Sequence, residues 1–218
     1  MIMKPNVAPR ALLQDQAYEK LKDLIQTGSL PAGSFHTEKL LSQRLGMSKT
    51  PIRAALTRLD IEGFVSISPQ IGIAVREASL HEIVDLFDIR VALETFVVRS
   101  LAGRLRPPQV ERLRANLRDQ KEYAKVGDPD RLTRLDTEYH LLYCEFLDNR
   151  EITRVLVQLR DKLHRVILRV MSRAEGRLET AVGEHTAIAE AVIRGKGEVA
   201  AERVSRHLEF GKQFLLSR

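Results

Sequence analysis

Four ionisable side chains, Asp136, His140, His185 and His207, fall on helical stripes that are otherwise apolar. Between Leu132 and Phe146 the stripe is Leu132, Leu135, Tyr139, Leu142, Tyr143 and Phe146, and Asp136 and His140 lie in the same sector one turn apart, so they can meet at a common point. His185 shares its stripe with Val182, Ile188, Ala189 and Val192; His207 shares its own with Ala200, Val204, Leu208, Gly211 and Phe214. Unpaired polar groups facing an apolar interior are costly. A divalent cation held by one carboxylate and three imidazoles satisfies all four, and zinc, nickel or manganese suits such a set. Spacing leaves a second reading open, in which each histidine is a hydrogen-bonded core residue.

A second constellation lies near the amino terminus. Lys49, Arg53 and Thr57 are each four residues from the last, so three groups able to bond phosphates or base edges line one helix face. From Lys39 to Arg58 there are five basic residues (Lys39, Arg44, Lys49, Arg53, Arg58) and no acidic one. Such a face attracts a polyanion. A solvated helical hairpin is the plainer alternative.

Helices and turns must position these groups. A loose arm is expected over residues 1 to about 13, then a helix from Asp15 to about Thr27 with Ala17, Leu21, Leu24 and Ile25 on one face, ending at Gly28. Ser29 to Ser34 is turn chemistry. The next helix carries Leu40, Leu41 and Leu45 inward and closes at Gly46. Ser48 or Thr50 can cap the following one, with Pro51 in its first turn; Ile52, Ala55, Leu56 and Leu59 form its buried stripe. After Gly63 the period becomes alternating, and Phe64–Ile67 and Ile73–Val75 read as two strands joined through Ser68, Pro69 and Gly72. From Leu80 onward the pattern is helical: Leu80 to Leu105, Pro108 to Val126, Pro129 to Leu147, Glu151 to Ser172, Arg177 to Arg194 and Glu198 to Leu216. Short connections imply an antiparallel bundle. The fold class is therefore mostly α: a winged helix-turn-helix with a small β-hairpin wing over residues 1–76, and a bundle of about six helices over 77–218.

Composition narrows the function. The formal net charge is +6 in 218 residues, with ten basic against six acidic residues before Glu77, so the excess is concentrated in the smaller part. One cysteine, Cys144, excludes an internal disulfide framework, no apolar run approaches the roughly 20 residues that span a bilayer, and the start MIMKPNVAPR lacks a signal-peptide core, so a cytoplasmic protein is expected. Trp is absent and aromatics are 5%, which favours a reader of duplex over single-stranded nucleic acid.

The run LGMSKTPIRAALTRLDIEGFV resembles the winged helix-turn-helix of the GntR superfamily of bacterial transcription regulators. The resemblance implies that Lys39, Lys49 and Arg53 are DNA-contacting cations, that Ser48 and Thr50 face phosphates, and that Gly72 is the wing glycine. Lys49 stands where the family usually has arginine, so the bidentate fork to guanine is lost there. Ile71, beside the wing tip, is apolar where a polar residue is common. The segments LDTEYHLLYCEFLDN and GEHTAIAEAVIRG, with the late histidine of VSRHL, resemble the FCD effector domain of the FadR branch of that superfamily. That likeness implies a metal held by Asp136, His140, His185 and His207. Arg90 shares a face with Ile83, Phe87, Glu94 and Val97; its spacing allows either a clamp on a ligand carboxylate or an ion pair with Glu94. The resemblance places Arg90 in the effector pocket, beside Glu94 on its helix face; Arg160 and His164, four apart on a later helix, are read from their spacing as bordering the same cavity.

The expectation is a metabolite-responsive regulator, in the family's usual manner a repressor, that binds double-stranded operator DNA as a homodimer. A small organic or sugar acid would be its effector. Two other readings stay open: a metal-dependent hydrolase or lyase with an accessory DNA-binding part, and a DNA binder whose bundle is only a dimerisation scaffold. A one-aspartate, three-histidine site can activate water, but no glutamate is spaced as an obvious general base, since Glu184 adjoins His185 on another face.

Overall fold

The computed structural model describes residues 10–69 and 72–217 and divides into two compact units between Glu77 and Ala78. The expected amino-terminal arm falls largely outside the described residues, as does Ile71.

In the first unit, α1 (Arg10–Gln26) is followed by β1 (Phe35–His36), α2 (Glu38–Leu45), α3 (Lys49–Ile61), β2 (Val65–Ser68) and β3 (Gly72–Val75). The helix expected from Asp15 is already formed at Arg10, the first described residue. Its Ala17, Leu21 and Ile25 pack with Leu41 of α2 and with Ile52, Ala55, Leu56 and Leu59 of α3 to form the core. Leu40 does not join them: it is 51% exposed, because an eight-residue helix packed on one side can bury only one sector. Thr37 caps α2, its hydroxyl accepting from the Leu40 amide at 3.2 Å, and Gly46 closes the helix with φ 63°. Ser48 sits at the N-cap of α3, but neither it nor Thr50 caps through its side chain as expected: the Ser48 hydroxyl makes no capping bond and Thr50 already lies inside the helix.

The expected wing hairpin forms from β2 and β3, and β1 joins it to make a three-stranded antiparallel sheet of order β1-β3-β2. Val65 pairs with Val75 and Ser68 with Gly72 on one side of β3; Phe35 pairs with Ala74 on the other. Gly72 has φ 97°, and a Cβ there would lie 2.7 Å from the His36 carbonyl oxygen, so only glycine lets β3 reach β1.

The second unit holds α4 (Leu80–Leu101), α5 (Pro107–Lys125), α6 (Pro129–Leu147), α7 (Arg150–Arg173), α8 (Arg177–Ile193) and α9 (Gly197–Leu216). Ser79 and Glu82 form a capping box at the start of α4, and Asp128 and Asn149 cap α6 and α7 through their side chains. α4 stops four residues short of the expected Leu105: Gly103, with φ 72°, donates its amide to the Val192 carbonyl and packs against Gly195. Successive helices α5, α6 and α7 pack as neighbours, α4 lies along α9 and α5 along α8, and one apolar core fills the space between them.

Candidate functional site

The four sequence-predicted ligands come together. Asp136, His140, His185 and His207 are all buried, and one donor atom from each lies within 4.8 Å of the others. Nε2 of His207 is 3.3 Å from Nε2 of His140 and 3.2 Å from Nε2 of His185, and Asp136 Oδ1 is 3.3 Å from His185 Nε2. Tyr139 stacks on the His185 ring at 4.4 Å between centroids, and its hydroxyl donates to the His185 carbonyl at 2.8 Å.

The outward nitrogens decide what the inward ones can do. Nδ1 of His140 is 2.6 Å from Glu94 Oε2, and Nδ1 of His207 is 2.6 Å from Glu184 Oε2, so each carboxylate accepts the ring N–H. For His185 the orientation follows a chain of bonds. Asn116 donates to the Leu135 carbonyl at 3.1 Å, its amide oxygen accepts from Gln120 Nε2 at 2.6 Å, and Gln120 Oε1 is left to accept from His185 Nδ1 at 2.8 Å. With every Nδ1 protonated, three Nε2 lone pairs face one another without a proton to share. Asp136 Oδ1 is buried among them with no hydrogen-bond partner. Lone pairs converging at 3.2–3.3 Å match the spacing of nitrogens around a cation with bonds of about 2.1 Å. The donor set thus fits a divalent metal.

Electrostatics agree. Burial pushes His185 and His207 well below the ordinary histidine value, with the neighbouring cations adding to it, so both imidazoles are neutral and able to ligate. Burial raises the Asp136 carboxyl, against the pull of His140, Arg90 and Arg177. Burial would also raise Glu94, but Arg90 and His140 outweigh it and hold that carboxyl at about 2.

Glu94, Gln120 and Glu184 are therefore outer partners of the site. Gln120 and the His207 role of Glu184 were missed from sequence. Glu184 also pairs with buried Arg177 at 2.8 Å, and its carboxylate sits behind His207, away from the converging nitrogens. It is not placed as a general base.

Arg90 makes the ion pair that its spacing allowed, Nε to Glu94 Oε1 at 2.7 Å. Arg90, Glu94, His140 and Arg160 line one small cleft with Cys144 and Leu156. Its volume, about 20 Å³, is room for a water-sized occupant. Arg160 is turned onto Asp161 at 2.8 Å. His164 is buried on α7 between Arg160 and Ile167, which line this cleft, though it is not itself among the lining residues; burial and then Arg134 lower its pKa.

In the first unit Lys39, Ser48, Lys49, Thr50, Arg53 and Thr57 are all exposed on α2 and α3. Arg53 is held by Glu38 through two parallel bonds, Nε to Oε1 at 3.0 Å and Nη2 to Oε2 at 2.8 Å. Gly72 serves the sheet in the way described above.

Comparison with known proteins converges on one family. Residues 13–75 match the gntR family of bacterial regulatory proteins and residues 85–210 match the FCD domain. The HTH-type transcriptional repressor RspR of Escherichia coli is 26% identical over 210 residues, covering 96% of this chain and 91% of that protein. YdhC of Bacillus subtilis, an uncharacterized HTH-type transcriptional regulator, is 26% identical over 194 residues, covering 88% of this chain and 86% of that one. The structure of McbR/YncC from E. coli superposes with a TM-score of 0.82 at 20% identity, over 94% of this chain and 97% of that one, which shows the shared fold. These matches are to regulators and not to enzymes. Among the described residues no helix is long and apolar enough to cross a membrane. The second unit places its capped helices around a donor set of the kind expected of an FCD domain, the first presents a basic helix-turn-helix, and the chain belongs to the GntR family of bacterial transcription regulators, in its FCD-domain branch.

Proposed function

We propose that this protein is a metabolite-responsive repressor that binds operator DNA as a homodimer and takes its input through a metal-containing site in the second unit. The observation that carries the reading is the set of three inward-facing imidazole lone pairs closed by the orphaned Asp136 oxygen. Asp136, His140, His185 and His207 would hold the ion, which when bound supplies a Lewis-acidic centre able to accept an oxygen donor from a small acid. Glu94, Gln120 and Glu184 fix the three rings. Arg90 would bind the same acid through the guanidinium edge that Glu94 leaves free, at the mouth of the cleft it lines with Arg160. A space of about 20 Å³ admits a carboxylate only if side chains give way. That movement would repack the bundle, shift the half-site spacing that two reading heads can reach, and so change operator affinity.

On the DNA side Lys49 and Arg53 would read base edges from the amino-terminal half of α3. Lys39, Ser48 and Thr50 would set register on phosphates, and Gly72 would shape the wing. Repression is the reading favoured by similarity to RspR, which is a repressor.

Elemental mass spectrometry of untagged protein, beside His140→Ala with His185→Ala, tests the centre. Thermal-shift titration with a panel of organic and sugar acids tests the input. About one equivalent of metal in the wild type and none in the variant, with stabilisation by an acid only in metal-loaded protein, is the expected result. No metal after reconstitution with Zn²⁺, Ni²⁺ and Mn²⁺ would overturn it.

A further inference from the structure

A ligand-sized space lies away from Arg90. It is a groove of about 380 Å³ between α5 and α8, within the range of small-molecule sites, against about 20 Å³ in the Arg90 cleft. Its floor is apolar, with Leu113, Leu117 and Ala189 buried and Ile193 half-buried. Its rim is basic: Arg114, Arg118 and Lys121 come from α5 and Arg194 caps the end of α8, against the single carboxylate of Glu190. Two of the cations are already engaged, Arg118 with Glu111 at 2.8 Å and Arg194 with Glu190 at 3.6 Å. Arg114 and Lys121 have no carboxylate partner among the described residues.

We infer that the α5–α8 groove is a second ligand site, distinct from the metal centre, for an amphipathic anion: a carboxylate whose head meets Arg114 and Lys121 and whose apolar body lies on Leu113, Leu117 and Ile193. An apolar floor alone would take any oily molecule, and cations alone would take any anion. Their adjacency selects a ligand with both parts.

The groove is also joined to the metal centre by covalent geometry. Gln120 lies next to Lys121 on α5, on the same buried face of that helix as the floor residues Leu113 and Leu117, and its amide oxygen accepts from His185, which adjoins Thr186 on α8. The walls of the groove are therefore the two helices that the Gln120–His185 bond ties together. An occupant that moves α5 against α8 changes the aim of His185, and linkage then requires metal to change the affinity for the occupant by the same factor. This coupling rests on the proposed metal site; the groove itself does not.

The test uses octanoate as probe, titrated by calorimetry into the full-length protein in metal-loaded and metal-stripped forms. Saturable binding of one equivalent per chain is expected in both forms, with different affinities. Arg114→Glu with Lys121→Glu should weaken it by about tenfold or more in both, as expected when charge-assisted bonds become repulsions. Arg114→Lys should retain binding and Arg90→Ala should leave it unchanged, with circular dichroism confirming the fold of each variant. Absence of saturable binding, or equal binding by the charge-reversed variant, would overturn the site. Loss of binding on Arg90→Ala would assign octanoate to the other cleft and overturn it too. A change in oligomeric state on charge reversal would show that a second copy fills the groove, also against the proposal. Equal affinity in the two metal forms would overturn the coupling. Because the stripped protein is tested alongside, failure of the metal reading would leave the groove result intact.

Discussion

The amide oxygen of Gln120 lies 2.8 Å from Nδ1 of His185, and the orientation of that amide is set by Asn116 behind it. Gln120 is completely buried, so no water can replace it as acceptor. Gln120→Leu keeps the volume and removes the acceptor. Outer partners of this kind contribute about 10–100-fold in metal affinity. Competition titration of Zn²⁺ against a chromogenic chelator should show a loss in that range with an unchanged circular dichroism spectrum, and unchanged affinity would show that the amide does not orient the ring.

The quartet Asp136, His140, His185 and His207 was legible because helical period fixes which side chains share a stripe, and all three stripes were strongly apolar. Their partners were not. Gln120 lies in the charged run RDQKEY, where no periodic signal marks one polar residue as the buried one, and Glu184 reaches His207 on a different helix. For Arg90 and Glu94 the spacing allowed both an ion pair and a ligand clamp, and only coordinates show that the pair forms and that Glu94 also accepts from His140. Strand β1 is two residues long and owes its pairing to β3, which follows it by more than thirty positions, so local pattern could not reveal it. Thr37 was passed over for the same kind of reason: its capping role depends on where α2 starts, and boundaries are the least certain part of a periodic reading.

Gly72→Ala should destabilise the first unit. The residue sits at φ 97°, and an added Cβ would meet the His36 carbonyl oxygen at 2.7 Å, a backbone atom that cannot swing aside. Strain of this type costs about 1–3 kcal/mol. Urea unfolding followed by circular dichroism should show the earlier midpoint, and hydrogen exchange should show lost protection at the β1–β3 pairing. Wild-type stability would mean that the sheet shifts to accommodate the methyl.

Cys144 should be inert in the native protein. It is 1% exposed, and burial, with the nearby Glu94 charge adding to it, pushes the thiol up to about 12. At pH 8 the thiolate fraction is then on the order of one in ten thousand, against roughly a quarter for a free cysteine. Iodoacetamide labelling followed by intact-mass spectrometry should be far slower than in urea-unfolded protein, and should still be rising with pH at pH 10. Because Cys144 lines the Arg90 cleft, an acid that opens the cleft would speed its labelling. Rapid labelling of the protein without any acid would show that the cleft already opens on its own.

Arg53 offers its guanidinium fork to Glu38 across the helix-turn-helix, and a fork held by one carboxylate is not free to meet guanine or a phosphate. DNA must therefore displace Glu38 or bind without the Arg53 fork. Both side chains are solvent-accessible, and exposed ion pairs contribute little net stability, so a phosphate or a base edge competes on favourable terms. The Glu38 carboxylate also sits on an otherwise basic face and repels the duplex after it is displaced. Glu38→Gln removes both effects while keeping length and shape. It should tighten binding to a duplex selected from a random-sequence library by roughly threefold to tenfold, most strongly at low salt, and leave the thermal midpoint nearly unchanged. Arg53→Gln should weaken binding in either background. Fluorescence anisotropy across a salt series measures both. If Glu38→Gln instead weakens binding, Glu38 remains on Arg53 in the complex and aims it, and the arginine's contact to DNA is made by the remaining guanidinium nitrogen, Nη1.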